Sequence, residues 1–359
     1  MDSESSMKTT SISQKQKIAN PIINVASHLG FLDTYSLLRG YCRSQITILM
    51  FHRVGPAKNA WLLPPTNTSD FEDQMKYLSK THEILSLNEL ATCLRGGKPL
   101  AKKVAVVTFD DGYRDNYRYA FPILKKYKIP ATIFLVTGHI DTGNLFWFEK
   151  IEYIIKNTKI KRLELDGFGD FSLNPIKNRL QSIFMIVEKL KKIEDGEKNH
   201  LIKKIINISK VDIPHDLGRD VILSWDEVKE MNEWGIDFGA HTVSQPILTR
   251  IALEEAKFEI LQSKKDNEKR LGQSVKTFSY PNGTYEDFNT KIIDLVKESG
   301  FTCAVTTIPT IQASRMNLYK LGRLFPCWSL LSFKFIVSGL RSDASKIFNR
   351  RKEVDVNLS

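Results

Sequence analysis

The stretch Val104-Ala-Val-Val-Thr-Phe-Asp-Asp-Gly-Tyr113 decides the fold that this sequence predicts. Its first six residues form an apolar run rich in β-branched side chains, which is typical of a strand buried on both faces. The run ends at Asp110 and Asp111. Two adjacent carboxylates repel each other, and a metal ion relieves this conflict when it binds one and leaves the other to move protons. For an isolated pair, the alternative is an Asp-Asp-Gly turn that only stops the strand.

Similar runs recur and alternate with amphipathic helices, one of which is opened by the capping box Ser224–Glu227. The predicted strands are Ile46–Phe51, Val104–Phe109, Ala131–Val136, Ile236–Ala240, Val275–Ser279 and Phe301–Thr306. Alternation of this kind indicates a parallel sheet with crossover helices. Polar residues follow several of the strands: His52, Asp110, Asp111, His139, His241 and Tyr280. In a (β/α) barrel they would converge on the C-terminal rim, so we expect a catalytic site there.

The chain divides into a central unit with two appendages. Residues 1–44 are predicted to form a polar tail and a helix, residues 45–326 the barrel, and residues 327–359 a basic C-terminal tail. Residues 141–220 are too many for an ordinary β/α connection, so they predict a helical insertion that flanks the substrate groove.

Composition bounds the partners and the compartment. The formal net charge of +11 favours anionic partners such as glycans or lipid phosphates. The Lys-rich helices alternate with Glu and no nucleic-acid motif occurs, so we expect no nucleic-acid partner. Four dispersed cysteines and the absence of a signal-peptide pattern or an apolar run of membrane-spanning length predict a cytoplasmic protein. Basic and aromatic residues interleave in the C-terminal tail, which leaves peripheral contact with the inner face of the membrane open.

A second informative stretch is His241-Thr-Val-Ser-Gln245. Residues four apart on a helical turn face the same way, so His241 and Gln245 are expected to reach a common point above Asp111. A lone histidine at a strand end is more often structural than a ligand. Its coupling to an Asp pair on a sister strand favours a metal ligand.

Several motifs together resemble those of the polysaccharide deacetylases, carbohydrate esterase family four. They are Thr108-Phe-Asp-Asp-Gly-Tyr, Gly239-Ala-His-Thr-Val-Ser-Gln-Pro-Ile-Leu and Phe278-Ser-Tyr-Pro-Asn-Gly. The opening Ile48-Leu-Met-Phe-His-Arg-Val resembles the branch of the family associated with exopolysaccharide biosynthesis. The resemblance implies an α/β fold, a deformed (β/α) barrel of the polysaccharide deacetylase type, here with a helical insertion. It also implies removal of N-acetyl groups from amino sugars with a divalent metal, often zinc.

The resemblance also implies roles for individual residues. Asp110 would be the general base, Asp111 and His241 metal ligands, and Tyr280 would help to hold the oxyanion through its neighbouring backbone. The residues assigned to substrate binding are Tyr113, Pro281, Trp147 and Arg323, and Arg323 is in addition the candidate for the arginine that orients the base.

Two positions depart from the family pattern. Gln245 stands where the family has a second histidine ligand, and no histidine follows His241 to act as the late general acid. His52, assigned as catalytic, and His139, as a further candidate for the metal, are the histidines that would fill these places. Two hypotheses follow. The chain is either a metal-dependent deacetylase acting on an N-acetylated glycan or glycolipid intermediate, or a catalytically impaired barrel that serves polysaccharide biosynthesis as a carbohydrate-binding or scaffolding subunit.

Overall fold

The structure is a computed structural model, and it describes residues 45–56, 60–311, 316–326 and 329–339. The predicted N-terminal segment 1–44 and the end of the basic tail, residues 340–359, lie outside these residues.

A parallel sheet of seven strands forms the centre of the described chain. Its path runs β1-β3-β4-β7-β8-β9, and β2 pairs with β3 as a side branch. The strands in chain order are β1 (Gln45–Phe51), β2 (Glu83–Ile84), β3 (Lys103–Phe109), β4 (Ala131–Leu135), β5 (Arg162–Leu165), β6 (Gly169–Ser172), β7 (Asp237–Ala240), β8 (Thr277–Ser279) and β9 (Cys303–Val305). The first strand pairs with β3 in register from Gln45 opposite Lys103 to Phe51 opposite Phe109.

The chain after β9 returns to the sheet and joins its two ends. Val305 pairs with Leu321 in one parallel bridge, and Leu49 of β1 pairs with Leu324 in another. The Leu324 amide donates to the Ile48 carbonyl at 2.8 Å. Residues 321–324 therefore lie between the last strand and the first, and the prediction of a deformed (β/α) barrel is confirmed.

Helices follow most strands and cover the sheet. They are α1 (Thr68–Thr81), α2 (Leu87–Gly96), α3 (Phe121–Tyr127), α4 (Trp147–Asn157), α5 (Ile176–Leu190), α6 (Asp195–Ser209), α7 (Trp225–Glu233), α8 (Leu253–Leu271), α9 (Thr290–Glu298) and α10 (Leu330–Val337). The predicted capping box opens α7: the Ser224 hydroxyl accepts from the Glu227 amide, and the Glu227 carboxylate accepts from the Ser224 amide.

The insertion has an apolar core of its own, built from one face each of α4, α5 and α6. It also contains the antiparallel hairpin of β5 and β6, which sequence reasoning missed. Each of these strands has only four residues, too short a stretch for an alternating pattern to stand out.

No helix in the part of the chain that the structure describes is long and apolar enough to cross a membrane.

Candidate active site

The ends of β1, β3 and β7 and the turn after β8 meet at a pocket of about 350 Å³. Asp110 and Asp111 lie at its base, each only 2% exposed. The other residues predicted for the site that line the pocket are His52, Trp147, His241, Gln245 and Pro281. Convergence at the carboxyl ends of parallel strands thus brings together seven residues that are far apart in sequence.

Asp110 is held by a fully buried arginine. Arg323 is 0% exposed and donates from Nη1 to Oδ1 at 2.7 Å and from Nη2 to Oδ2 at 2.6 Å. Burial by itself would raise the pKa of Asp110, but the charge of Arg323 and these two hydrogen bonds outweigh it and lower the pKa to about 2. Asp110 is therefore a carboxylate at neutral pH.

The orienting contact expected of Arg323 is present, whereas its assignment to substrate binding is corrected. Its side chain is fully buried and makes its remaining hydrogen bonds to the Thr306 carbonyl and to the hydroxyls of Thr108 and Ser279. A guanidinium group enclosed in this way positions Asp110 and cannot touch a substrate.

Asp111 adopts a left-handed backbone conformation with φ of 74°, followed by Gly112 with φ of 69°. This conformation is costly for a residue with a side chain, and such strain is typical of functional sites. Its carboxylate oxygen Oδ1 accepts a hydrogen bond from Nε2 of Gln245 and lies 3.5 Å from Nε2 of His241. Asp111, His241 and Gln245 therefore converge as predicted.

The ring of His241 is oriented by a carbonyl. Its Nδ1 lies 2.7 Å from the Ser279 carbonyl oxygen, which can only accept, so Nδ1 carries a proton and Nε2 faces Asp111. Burial would lower the pKa of His241, but the hydrogen bond to Asp111 and the charges of Asp110 and Asp111 raise it. In the neutral ring, the Nε2 lone pair faces a carboxylate oxygen, so a proton or a cation is favoured between them.

The helical offset expected between His241 and Gln245 is wrong. Residues 241–245 form a turn, in which Thr242 has φ of 68° and Gln245 has φ of 61°. The Glu259 carboxylate on α8 accepts from the amides of Val243 and Ser244 at 2.7 and 3.0 Å. A buried carboxylate thus fixes the turn that presents both side chains. Sequence reasoning missed Glu259 because it resembles the other charges of an exposed helix.

The residues present fit a single divalent cation. Oδ1 of Asp111 and Nε2 of His241 are separated by a distance that one ion bound at about 2.0–2.2 Å to each can span. Oε1 of Gln245 is buried and has no hydrogen-bond partner, and since Nε2 is the atom that faces Asp111, a 180° rotation of the amide would turn this orphaned acceptor toward the cation. Within the described residues, no group of three or more His, Cys, Asp or Glu side chains is placed to hold a metal, so the third protein donor would be the Gln245 amide oxygen.

Three other predicted residues point away from the pocket. The Tyr280 amide donates to the Val305 carbonyl and its hydroxyl to the Tyr319 carbonyl, so any backbone donor for an oxyanion must come from the residues after it. Tyr113 is 0% exposed and lines a neighbouring cavity and not this pocket, so its assignment to substrate binding stays a prediction. Nδ1 of His139 faces the Asn144 carbonyl, and the ring packs on Phe146. Because His139 does not line the pocket, the structure gives no support to its assignment as a metal ligand.

Part of the pocket wall comes from the insertion, which was expected to flank the substrate groove, and part from a loop to which sequence reasoning gave no site role. Leu62 and Leu63 come from the loop before α1, and Phe184, Val187 and Lys191 from α5 and the residue after it. The available signal was Phe184, an aromatic residue that is 44% exposed on the outer face of an otherwise amphipathic helix.

Comparison with known proteins is consistent with this geometry. The sequence model of the family described as polysaccharide deacetylase matches residues 97–304. A Bacillus subtilis (strain 168) protein assigned to the polysaccharide deacetylases, YxkH, is 24% identical over 293 residues, which cover 81% of this chain and 75% of that protein. The poly-beta-1,6-N-acetyl-D-glucosamine N-deacetylase of Staphylococcus aureus (strain MSSA476) is 30% identical over 179 residues. That match covers 48% of this chain and 59% of the relative.

Solved structures show the same fold. The Streptococcus pyogenes deacetylase PplD, in complex with acetate, superposes with a TM-score of 0.56 at 21% identity, over 82% of this chain and 99% of that one. IcaB from Ammonifex degensii superposes with a TM-score of 0.52 at 18% identity, over 81% of this chain and 97% of that one.

Proposed function

The chain belongs to the polysaccharide deacetylase family, since the family model matches more than half of its length, and from this we propose that it hydrolyses N-acetyl groups of amino sugars in a polysaccharide or glycolipid intermediate. The observation that carries the proposal is Asp110, held by the buried Arg323, which lines one pocket with Asp111 and His241. The name of the Staphylococcus aureus relative points to β-1,6-linked N-acetylglucosamine as the first substrate to test.

Asp110 is the general base in this proposal. Arg323 uses one acceptor position on each carboxylate oxygen, and each oxygen has a second, so Asp110 can still take a proton from water in the pocket. Arg323 keeps the carboxylate ionised and fixes its plane, so the base needs no reorientation during the reaction.

Asp111, His241 and Gln245 are the residues that would hold a divalent metal, and zinc is our proposal for that metal. When bound, the ion polarises the amide carbonyl and lowers the pKa of water from about 15.7 toward 7. The protein contribution is to hold Asp111 in its strained conformation and to keep Nε2 of His241 directed at it through the Ser279 carbonyl.

His52 is the proposed donor of the proton to the leaving amine. Among the described histidines, only His52 and His241 line the pocket, and His241 belongs to the proposed metal ligands. The ring of His52 lies parallel to that of Phe325, with the two centroids 6.1 Å apart, and this contact fixes the plane of the ring. His52 can therefore hold a proton at a ring nitrogen beside the reacting amide.

A second candidate function rests on Gln245. Its Nε2 donates to Asp111, which satisfies that carboxylate without a metal, and a neutral amide is a weaker ligand than imidazole. A barrel that binds the glycan without hydrolysing it, as a carbohydrate-binding or scaffolding subunit, would have this feature.

The test compares two adjacent aspartates in the full chain. Amine release from N-acetylglucosamine oligomers is measured together with zinc content after dialysis. Asp111→Ala should lose both metal and turnover. Asp110→Asn should keep the metal and lose roughly 10²–10⁴-fold in rate, the usual contribution of a general base. Equal metal loss in both variants contradicts the assignment of roles, and a wild-type chain that binds oligomers but releases no amine with zinc present favours the second candidate.

We also propose that the protein is cytoplasmic and contacts the inner face of the membrane. Residues 315–359 carry nine Lys or Arg against three Asp or Glu; apart from the buried Arg323, each basic residue near an anionic bilayer contributes on the order of 1 kcal/mol. The outer face of α5 adds exposed apolar residues, among them Leu180 at 38% and Met185 at 45%. Co-sedimentation with phosphatidylglycerol vesicles should exceed that with phosphatidylcholine vesicles and should fall with salt. Equal sedimentation with both lipids, unchanged by salt, removes this proposal.

A further inference from the structure

A second cavity, of about 580 Å³, lies beside the catalytic pocket. The two share three wall residues, Leu62, Leu63 and Phe148. The volume falls within the roughly 300–1,000 Å³ of small-ligand sites in proteins. Because the cavities adjoin, a chain molecule with one unit over Asp111 can place a neighbouring unit in the second cavity.

The outer wall of this cavity is aromatic and already fixed in position. It includes Trp61 and Tyr153. The amides of Trp61 and Leu62 both donate to the Glu152 carboxylate on α4, each at 2.9 Å. The Lys156 ammonium lies 4.5 Å from the centroid of the Trp61 ring. The loop that carries Trp61 is therefore tied to the insertion before any ligand arrives, which reduces the entropy lost on binding.

The inner wall carries two charged groups that the proposed reaction does not use, Arg53 and Glu149. Arg53 donates from Nε to Asp115 at 2.7 Å, and this ion pair leaves the Nη groups to serve the cavity. Glu149 accepts from the Phe146 amide at 3.3 Å. Burial raises the pKa of Glu149 to about 7, although Arg53 opposes the shift, so its carboxyl group can donate or accept near neutral pH.

We propose that this second cavity binds the neighbouring hexose unit of a glycan whose reacting N-acetylated unit occupies the catalytic pocket. Pyranose rings present C–H faces that pack on aromatic side chains, and their hydroxyls pair with a few fixed polar groups. Trp61 and Tyr153 supply the first kind of surface, and Arg53 and Glu149 supply the second. A hydrocarbon in the same place could not pair with the hydrogen-bonding groups that Arg53 and Glu149 keep beyond their bonds to Asp115 and the Phe146 amide, so a polar ligand is favoured.

The proposal deepens the proposed function, because it takes the glycan as the ligand and specifies that more than one sugar unit is recognised. It also gives a role to the insertion: α4 and the start of α5 supply walls of the second cavity, through Phe148, Tyr153 and Ile176. A chain without the insertion would retain the strand ends at the catalytic pocket but not this cavity.

The experiment measures how affinity depends on glycan length. Calorimetric titration of the full chain uses N-acetylglucosamine and its β-1,6- and β-1,4-linked oligomers of two to four units. We expect wild-type affinity to rise about tenfold, or 1.4 kcal/mol, from one unit to two in the preferred series. Trp61→Ala should bring the affinity for the dimer close to that for the monomer. Trp234→Ala is the matched control, because Trp234 is 58% exposed, carries the Lys125 ammonium over its ring and lines neither cavity.

Each outcome decides the proposal. A length dependence that survives in Trp61→Ala overturns it, as does an equal loss of affinity for monomer and dimer. Glu149→Gln keeps the side-chain volume and should also reduce the gain in affinity from the second sugar unit. Because this variant leaves the Trp61 loop unchanged, it separates loss of the sugar contact from a local change in that loop. Amine release that is indifferent to length removes the second site and leaves the proposed function. Length-dependent binding without amine release supports the second site and removes the proposed function. No binding in either series removes both proposals.

Discussion

Replacement of Arg323 by methionine should show how much Asp110 depends on its buried counterion, because the variant keeps the carboxylate and removes the group that holds it. Arg323 is 0% exposed and its two Nη groups bind both oxygens of Asp110. Without it, a buried carboxylate keeps its desolvation penalty and loses its counterion. We therefore expect the pKa of Asp110 to rise from about 2, and we expect Arg323→Met to lose both stability and turnover.

The magnitude can be worked out from the structure in two ways. Removal of one partner from a buried ion pair typically costs about 3–5 kcal/mol. Independently, lowering the pKa of Asp110 from 3.8 to about 2 corresponds to about 2 kcal/mol of stabilisation at neutral pH. Because the folded-state pKa is lowered, this stabilisation is present above about pH 4 and is lost as the pH falls toward 2. Because Arg323 must first offset the desolvation of Asp110, its coupling to Asp110 is at least about 2 kcal/mol, within a total cost of about 3–5 kcal/mol for Arg323→Met.

A double-mutant cycle measured by urea unfolding tests this estimate. Arg323→Met, Asp110→Asn and the double variant are compared with wild type at pH 7, and the double variant should recover at least about 2 kcal/mol relative to additivity. The matched control is the exposed pair of Lys126 and Glu72, whose coupling should be far smaller because solvent screens it. If the Arg323 and Asp110 effects simply add, the guanidinium does not hold the carboxylate and the reasoning is refuted. Turnover should be absent in the double variant even where stability returns.

Three further predictions concern other residues. Gln245→His should tighten zinc affinity on the order of tenfold or more, measured by competition with a chelator, since imidazole replaces an amide oxygen; unchanged affinity would mean that Gln245 is not a ligand. Glu259→Gln should weaken zinc affinity and cost about 1–3 kcal/mol in unfolding, because the Val243 and Ser244 amides lose a charged acceptor. Burial, aided by the charge of Lys103, lowers the pKa of His82 to about 4, so stability should fall from pH 6.5 toward 4 as the unfolded chain takes up the proton, and His82→Leu should remove about 2 kcal/mol of that fall in unfolding titrations at pH 7 and 4.5.

The barrel could be predicted from sequence because its signals are local. Buried strands such as β3 are continuous apolar runs, and helices such as α7 carry caps that one or two side chains define. The hairpin within the insertion and the closing segment at residues 321–324 lack such signals. Each of them is stabilised by pairing with a distant part of the chain, and a short stretch does not encode its partner.

The sequence predicted seven of the residues that line the pocket, but only some of the contacts between them. Asp111 and His241 are found where strand ends converge, a consequence of topology alone. The turn at residues 241–245 was predicted with the wrong local geometry, because an i, i+4 spacing is uninformative outside a helix. Glu259 and Arg53 were missed because each acts through a residue distant in sequence, so nothing beside them in the chain marks their role.

Barrel closure and the ionisation of Asp110 depend on the same four residues, 321–324. Leu321 and Leu324 pair with β9 and β1, and Arg323 between them projects onto Asp110 at the end of β3. Any motion that separates residues 321–324 from β1 and β9 withdraws the guanidinium from a buried carboxylate. The pKa of that carboxylate must then rise. By linkage, protonation of Asp110 weakens this closure by the same free energy, at least about 2 kcal/mol. The closed barrel and the ionised base are therefore stabilised together, which explains why an arginine late in the chain can set the chemistry of an aspartate more than two hundred residues before it.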